Sequence, residues 1–175
     1  MTQQQSGKID PHYTFSQFLV TASNQAAVRT CRIVATHPGR AYNPLFLYGE
    51  ADTSKTHLLY AIGNQIHTDD PTRTIVYLSC KQLMTQPSVT AAPVTLQQTR
   101  SRYQHIDVLL LDKLEHLAGS IAVQHELLYL MNLLHRAGKQ IVIAAERTPQ
   151  ALATLTERLR ARCAGGMLVA VPTSA

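Results

Sequence analysis

The sequence is poor in the features that mark secreted and membrane proteins. It has no tryptophan. Its only 3 cysteines are widely spaced, so a disulfide framework is excluded and a reducing cytoplasm is favoured. Its apolar runs, such as residues 108–111, are far shorter than the roughly 20 residues of a membrane-spanning helix. The polar N-terminus has no apolar stretch of the signal-peptide kind. We therefore expect a cytoplasmic protein that does not contact a membrane.

Charge is also scarce. Only 15% of the 175 residues are charged, whereas 45% are apolar, which is enough to fill the core of one domain without metals or disulfides. The formal net charge of +5 is too small to keep the chain unfolded by self-repulsion. Because the first residues are polar, the sequence predicts a mobile arm over residues 1–12 and one folded domain over residues 13–175.

Five short runs of aliphatic and β-branched residues predict strands. They lie at residues 45–48, 74–78, 108–111, 141–145 and 167–171. Each run is apolar on both faces, as in the buried strands of a parallel sheet. Because amphipathic helical patterns separate the runs, the sequence predicts an α/β fold of three layers around a parallel sheet.

The helical patterns between the strands have a period of about 3.6 residues. They cover residues 23–37, 57–66 and 121–135. Residues 86–95 contain two prolines and many small side chains, so we expect a loop there, followed by a polar helix at residues 96–104.

The segment after the first strand resembles a phosphate-binding loop. The pattern G-x-x-x-x-G-K-[ST] matches Gly49, Lys55 and Thr56, but Ser54 stands where the second glycine belongs. Glycine allows unusual backbone angles and a close approach of N–H groups to phosphate oxygens, so its loss predicts an impaired site. An ordinary strand–turn–helix connection with a chance lysine is the alternative.

Two acidic residues in this loop also oppose nucleotide binding. Glu50 and Asp52 would repel a phosphate by Coulomb's law, by roughly 1 kcal/mol per pair in water and more when partly buried. Asp52 stands close to a helix N-terminus, which favours negative charge. Its carboxylate is therefore a built-in substitute for phosphate in our interpretation.

The end of the third strand supplies the other half of an ATPase site. Asp112 would face Thr56 across the strand tips, and the two oxygens suit Mg²⁺. Hydrolysis also needs a carboxylate that orients the attacking water, yet the next residue is Lys113. Lys113 would pair with Asp112 or Glu115 instead. A strand-end aspartate that merely caps a turn is the alternative.

Several ordered segments carry a family resemblance. They are residues 13–18, 23–24, 42–49, 55–64, 107–112, 139–143 and 155–162, which read YTFSQF, SN, YNPLFLYG, KTHLLYAIGN, DVLLLD, KQIVI and LTERLRAR. Together they closely resemble the AAA+ ATPase core of the DnaA family, the bacterial chromosomal replication initiators. The resemblance covers about residues 9–172 and implies a P-loop NTPase sheet in the order 5-1-4-3-2.

The resemblance also assigns residues. Tyr13 would lie near the adenine, and Arg162 would act as a finger toward the ATP of a neighbouring subunit, with Arg158 on the same helix at residues 152–162. A nucleotide, if one binds, would be surrounded by Tyr13, Gly49, Ser54, Lys55, Thr56, His57 and Asp112, with Thr56 and Asp112 as the metal contacts. Arginines that simply solvate a helix face are the alternative.

The departures from the family pattern concern chemistry. The sequence shows neither the helical lid nor the C-terminal helix-turn-helix of the family, so we expect no lid domain and no reading of duplex DNA by that route. Glu146 keeps the charge of the segment after the fourth strand, where the family has an Asp. Pro87, Pro93 and Ala122 alter the single-strand-binding region.

These observations favour a regulatory module over an enzyme. The acceptor side of an ATPase is damaged and its arginines remain, so we expect contacts with DnaA or another replication protein and no catalytic residue apart from a finger at Arg162 or Arg158. DnaA-related regulators such as Hda are the precedent. We expect no cofactor; weak binding of ATP or ADP with Mg²⁺ is the alternative, and the protein could also form homo-oligomers.

A weak nucleic-acid contact is a further alternative. Residues 134–175 hold more basic than acidic side chains, and Arg100 and Arg102 extend this charge, which would give non-specific and salt-dependent affinity for single-stranded DNA. The 8 histidines show no spacing of metal ligands. We therefore interpret them as surface or helix-face residues.

Overall fold

Five parallel strands form the central layer of the computed structural model, which describes residues 8–51, 54–85, 101 and 103–173. The strands are β1 (Leu45–Tyr48), β2 (Ile75–Ser79), β3 (Val108–Asp112), β4 (Gln140–Ala145) and β5 (Met167–Ala170). Their order across the sheet is β2-β3-β4-β1-β5, and all four pairings are parallel. This confirms the predicted order, which is the same sheet read from the other edge.

Helices cover both faces of this sheet. They are α1 (Gln25–Thr36), α2 (Lys55–Asp69), α3 (Cys80–Thr85), α4 (Ile121–Arg136) and α5 (Glu157–Cys163), with 3₁₀ helices at Leu114–Leu117 and Pro149–Ala151. Alternate strand residues point to opposite sides: Leu110 belongs to the core that includes α1 and α2, and Leu109 to the core that includes α4 and α5. The predicted three-layer α/β architecture is confirmed.

The two edge strands are less buried than the sequence predicts. Every residue of β3 and β4 is buried, but β5 is half-buried to exposed along its length and β2 is buried only at Val76 and Tyr77. The central strands have neighbours on both sides, whereas an edge strand has one. Apolar composition alone therefore does not distinguish the central strands from the edge strands.

The arginine-bearing helix is shorter than predicted. It begins at Glu157, not at residue 152, because Thr156 caps it by accepting the Leu159 N–H at 3.3 Å. Leu152 and Leu155 are buried in the preceding turn, so they mimic a helical period without being helical. The predicted loop at residues 86–95 and most of the predicted helix at residues 96–104 lie outside the described residues.

The N-terminal segment is packed where the structure describes it. Residues 1–7 of the predicted mobile arm lie outside the described part, but Ile9 packs against the core and the Asn64 Nδ2 donates to the Asp10 backbone oxygen at 2.9 Å. A Cβ on Gly63 would come within 2.7 Å of the Ile9 Cδ1, so the glycine makes room for this contact. None of the helices in the described ranges is long and apolar enough to cross a bilayer.

Candidate nucleotide cleft and arginine groove

A cleft opens where the carboxyl ends of β1, β3 and β4 meet, which is the usual ligand position in an open parallel sheet. Its volume is about 320 Å³. The residues that line it are Ala51, Lys55, Thr56, Asp112, Lys113, Glu115, His116, Ala145 and Glu146. The Gly49 N–H donates to the Ala145 oxygen at 3.2 Å and joins the ends of β1 and β4.

Lys55 is the first residue of α2 and is only 7% exposed. Its Nζ donates to the backbone oxygens of Gly49 and Glu50, both at 2.7 Å, so the ammonium group is directed into the loop that follows β1. Ser54 has a φ of −73°, outside the left-handed region, so a glycine is not required for its backbone angle. The predicted masking by Asp52 lies outside the described residues.

Two hydroxyl groups donate to one carboxylate oxygen at the wall of the cleft. The Thr56 Oγ1 donates to the Asp112 Oδ2 at 2.6 Å, and the Tyr77 hydroxyl donates to the same oxygen at 2.8 Å. Burial, and then the charge of Asp112, raises the pKa of Tyr77, so its hydroxyl keeps its proton and remains a donor. Asp112 is only 2% exposed and is held in one orientation by the two bonds.

The residue after Asp112 has an unusual backbone. Lys113 has φ 59° and ψ 51°, the left-handed conformation that costs a non-glycine residue roughly 1–2 kcal/mol. The ion pair predicted with Asp112 or Glu115 does not form, since Lys113 makes no ion pair with any residue that the structure describes. Glu115 instead accepts the Glu146 N–H at 3.2 Å and so joins the turn after β3 to the end of β4.

An aromatic cluster forms between the N-terminal segment and α2. The Tyr13 and Phe18 rings each lie 5.0 Å from the His57 ring, and the Tyr13 ring lies 5.6 Å from that of Tyr60. The His57 Nε2 is 2.8 Å from the Thr14 oxygen and fixes the imidazole. Tyr13 is 43% exposed, so it offers an aromatic face of the kind on which a nucleobase stacks.

The predicted finger arginines lie elsewhere, on α5. An open groove of about 430 Å³ is lined by Leu128 and Asn132 of α4 and by Arg158, Ala161 and Arg162 of α5. Arg158 and Arg162 are one helical turn apart and share a face, as the sequence predicts. Neither arginine lines the cleft, which fits a role toward another molecule and not toward this chain's own cleft.

The structure therefore brings Lys55, Thr56 and Asp112 together and leaves Tyr13 and His57 beside them. Thr56 and Asp112 supply the oxygen ligands that Mg²⁺ prefers and would hold it next to a nucleotide's phosphates, with Lys55 as the phosphate contact. These residues fit the bound group, but Lys113 does not fit the hydrolytic role of the position it occupies. Over the ranges that the structure describes, His, Cys, Asp and Glu form no metal-binding group of three.

Sequence reasoning missed Tyr77. Its signal was the one aromatic hydroxyl in β2, whose register places Ser79 opposite Asp112. The three cysteines, Cys31, Cys80 and Cys163, are buried free thiols. Burial raises the pKa of Cys31 and of Cys163 to about 12, so both thiols keep their protons at neutral pH.

Two solved structures of DnaA proteins are closely similar to this chain. Domain III of the replication initiation protein DnaA from Thermotoga maritima is 35% identical and superposes with a TM-score of 0.86, over 94% of this chain and 68% of that one. A structure of the replication initiator DnaA bound to AMPPCP and single-stranded DNA is 33% identical, with a TM-score of 0.84 over 93% of this chain and 50% of that one.

The sequence comparisons agree. The chromosomal replication initiator protein DnaA of Chloroflexus aurantiacus is 47% identical over 169 residues, which are 95% of this chain and 35% of that protein. The chain thus spans about a third of the length of the curated relatives it matches. The family model of the bacterial DnaA ATPase domain matches residues 9–170. With the sheet order and the strand-tip cleft already in place, these matches show that the chain belongs to the bacterial DnaA ATPase domain family.

Proposed function

We propose that this chain is a non-hydrolysing DnaA-like AAA+ module that regulates the initiation of chromosome replication by contacting DnaA or another replication protein. One observation carries the proposal: the cleft has a lysine directly after Asp112, whereas the arginines of α5 line an open groove. The module would give an arginine to a partner's nucleotide without turning over one of its own. Its three buried thiols fit the reducing cytoplasm where we place this function.

The cleft argument rests on Lys113. A general base for hydrolysis must accept a proton or orient a water, and a protonated ammonium group does neither. Lys113 lines the cleft from a fixed left-handed backbone, so no alternative carboxylate replaces it at that position. Glu115 and Glu146 also line the cleft, but neither occupies the position after Asp112, and the Glu115 Oε2 is tied to the end of β4 by the Glu146 N–H. The cleft is thus equipped for binding and poorly equipped for turnover.

The groove argument rests on Arg158 and Arg162. Arg158 is exposed and Arg162 is half-buried, and both stand on a helix that is capped at its first turn. An arginine supplied by a neighbouring molecule neutralises the charge that develops on a transferred phosphoryl group. Because the groove is open to solvent, a partner's nucleotide-bearing surface can approach the two guanidinium groups.

A second candidate function is a nucleotide-dependent switch that binds ATP or ADP without hydrolysis. It is favoured by the 2.6 Å bond between Thr56 and Asp112 and by the buried Lys55, which form the metal and phosphate contacts expected of the family. Titration of a fluorescent ATP analogue tests it, with and without Mg²⁺. Binding that depends on Mg²⁺ and is lost in Thr56→Val, but not in Thr68→Val on the same helix, would support the switch.

Gel filtration with the full-length initiator of the same organism tests the main proposal. We expect the two proteins to elute together at micromolar concentrations, and more strongly when the initiator carries ATP than when it carries ADP. No complex in either state overturns the regulatory function. Parallel runs with a single-stranded oligonucleotide at low and high salt test the weak, non-specific nucleic-acid contact as the competing outcome.

A further inference from the structure

Helix α4 carries one buried glutamine among the apolar residues of its inner face. Gln124 is 0% exposed, and both ends of its side-chain amide are used. The Nε2 donates to the Leu117 oxygen at 2.9 Å and to the Thr154 oxygen at 3.4 Å, and the Oε1 accepts the Thr156 N–H at 2.7 Å. One side chain therefore contacts two separate backbone segments.

Those two segments belong to the two halves of the candidate function. Leu117 ends the 3₁₀ helix that follows Asp112 and Lys113 and that carries Glu115 into the cleft. Thr156 is the N-cap of α5, the helix of the arginines. A displacement of either segment would break a bond to the buried Gln124 amide and leave one end of it, or the Thr156 N–H, without that partner, which is costly in a low-dielectric interior. The turn after β3 and the start of α5 are thus expected to move together.

Within the part of the chain that the structure describes, the arginine-bearing face of α5 makes no comparable hydrogen bond with α4. Gln124, Leu128 and Asn132 are four residues apart, so they form one row on α4. Leu128 and Asn132 line the groove with the arginines, yet the Asn132 Oδ1 is buried and accepts no hydrogen bond from the described residues. The N-cap of α5 is therefore hydrogen-bonded to α4, whereas the face that carries Arg158 in the first turn and Arg162 in the last meets α4 across an open groove.

We propose that Gln124 is a positioning residue that sets the direction in which α5 presents Arg158 and Arg162, and that it links this direction to the turn beside the cleft. The positioning is a property of the chain itself, and only its consequence for a partner rests on the proposed function. Since a displacement of about 1 Å can reduce a rate about a hundredfold, a small rotation of α5 is enough to disable an arginine.

The chain offers a matched control in Gln140. It is also 0% exposed, its Oε1 accepts the Gly39 N–H at 2.8 Å, and its Nε2 donates to the Tyr42 oxygen at 2.8 Å. It lies at the start of β4, at the opposite end of the strands from the cleft. Gln124→Met and Gln140→Met therefore remove equivalent buried amides of nearly equal size, and only one of them contacts α5.

The experiment uses the full chain and two readouts. Amide hydrogen exchange is followed at Leu159 and Arg160 of α5 and at its C-cap Ala164, whose N–H groups bond within the helix or to its cap, and is compared with exchange in the buried strand β3 as a measure of global stability. Stimulation of the initiator's ATP hydrolysis is measured in parallel. We expect Gln124→Met to speed exchange in α5 by about tenfold more than in β3 and to reduce stimulation at least tenfold. Gln140→Met should change neither the relative exchange of α5 nor the stimulation.

Each outcome decides between the two claims. Unchanged relative exchange in α5 overturns the positioning role, whatever the partner does. Faster exchange in α5 with full stimulation overturns the link between position and arginine use. Absence of stimulation by the unmodified chain overturns the proposed function, and the exchange data then test the positioning role alone. If Gln124→Met does not fold, Gln124→Asn, which keeps an amide but is one methylene too short to hold both segments, is held to the same outcomes.

Discussion

The cleft and the arginine groove differ in how their side chains are held. In the cleft, the Thr56 Oγ1 donates to the Asp112 Oδ2 and the buried Lys55 donates to the loop after β1, while the residue after Asp112 is Lys113. In the groove, Arg158 is exposed and Arg162 is half-buried. Many contacts therefore hold the binding residues of the cleft, whereas under the proposed function the loss of turnover depends on a single side chain.

Lys113 also has a strained backbone. Lys113 keeps a left-handed backbone that glycine or asparagine adopts more easily, and it gains no ion pair from the residues around it that the structure describes. Strained positions of this kind cluster at functional sites, where surrounding structure holds them. The turn thus has its left-handed conformation with a lysine side chain, and Asp112 and Glu115 lie on either side of it in the cleft.

The largest expected effect comes from removing one arginine. Arg162→Ala should reduce stimulation of the partner's ATP hydrolysis by about 10³-fold or more, since arginine fingers contribute 10³–10⁵ in rate. Arg160→Ala is the control: it removes the same charge from the same helix, but Arg160 does not line the groove. Steady-state phosphate release from the initiator, with each variant added, provides the measurement. Equal losses of stimulation in the two variants would show that α5 acts through its overall positive charge and not through a specific arginine in the groove.

A gain of ATP hydrolysis in a cleft variant would test the same comparison. Lys113→Asp restores a carboxylate on the same turn, and Asp tolerates the left-handed region better than Lys. We expect Mg²⁺-dependent ATP hydrolysis to rise by about 10²–10⁴-fold over Lys113→Gln, which removes the charge without supplying a base. Phosphate release by the isolated chain is the measurement. If both variants stay inactive, the lysine is not what limits the cleft.

The architecture could be predicted from sequence because buried parallel strands leave a direct signal. Apolar runs separated by amphipathic helices determined the layers, and the family resemblance supplied the strand order. The start of α5 could not be predicted, since Leu152 and Leu155 continue the helical period through a turn. The capping side chain of Thr156, and not hydrophobicity, determines where that helix begins.

Some residues of the candidate site could be predicted from the sequence and others could not. Lys55, Thr56 and Asp112 follow from loop spacing and from the strand end, and the structure brings them together. Tyr77 was missed because its contact crosses from β2 to β3, and only the strand register reveals it. Gln124 was missed for a related reason, since a buried polar side chain shows its partners only in three dimensions.

Tyr77 provides a smaller effect that concerns stability. Tyr77→Phe removes a hydrogen bond to a buried carboxylate, so the free energy of unfolding should fall by about 1.5–3 kcal/mol. Tyr48→Phe is the control, since the Tyr48 hydroxyl makes no hydrogen bond with the residues that the structure describes. Urea denaturation measures both variants. A loss in Tyr77→Phe no larger than in Tyr48→Phe would show that the Asp112 network adds little stability to the cleft.

The smallest effect is expected at the opposite end of the strands. Asp107 precedes β3; partial burial raises the pKa of its carboxyl, but the bond from Lys139 at 2.7 Å and the Thr74 N–H outweigh this and hold the pKa below its usual range. A lowered pKa means that the carboxylate stabilises the fold above about pH 3.9 and that this contribution is lost as the pH falls through the folded-state pKa.

In Asp107→Asn, the decline in unfolding free energy below about pH 4 should therefore be shallower, and at neutral pH the loss should stay within about 1 kcal/mol, since the ion pair is partly exposed. Asp69→Asn, at the end of α2 and outside any ion pair in the described ranges, serves as the control. Urea titrations between pH 2 and 7 measure the difference. Parallel curves of unfolding free energy against pH for the two variants would mean that the ion pair at this end of the strands makes no measurable contribution to stability.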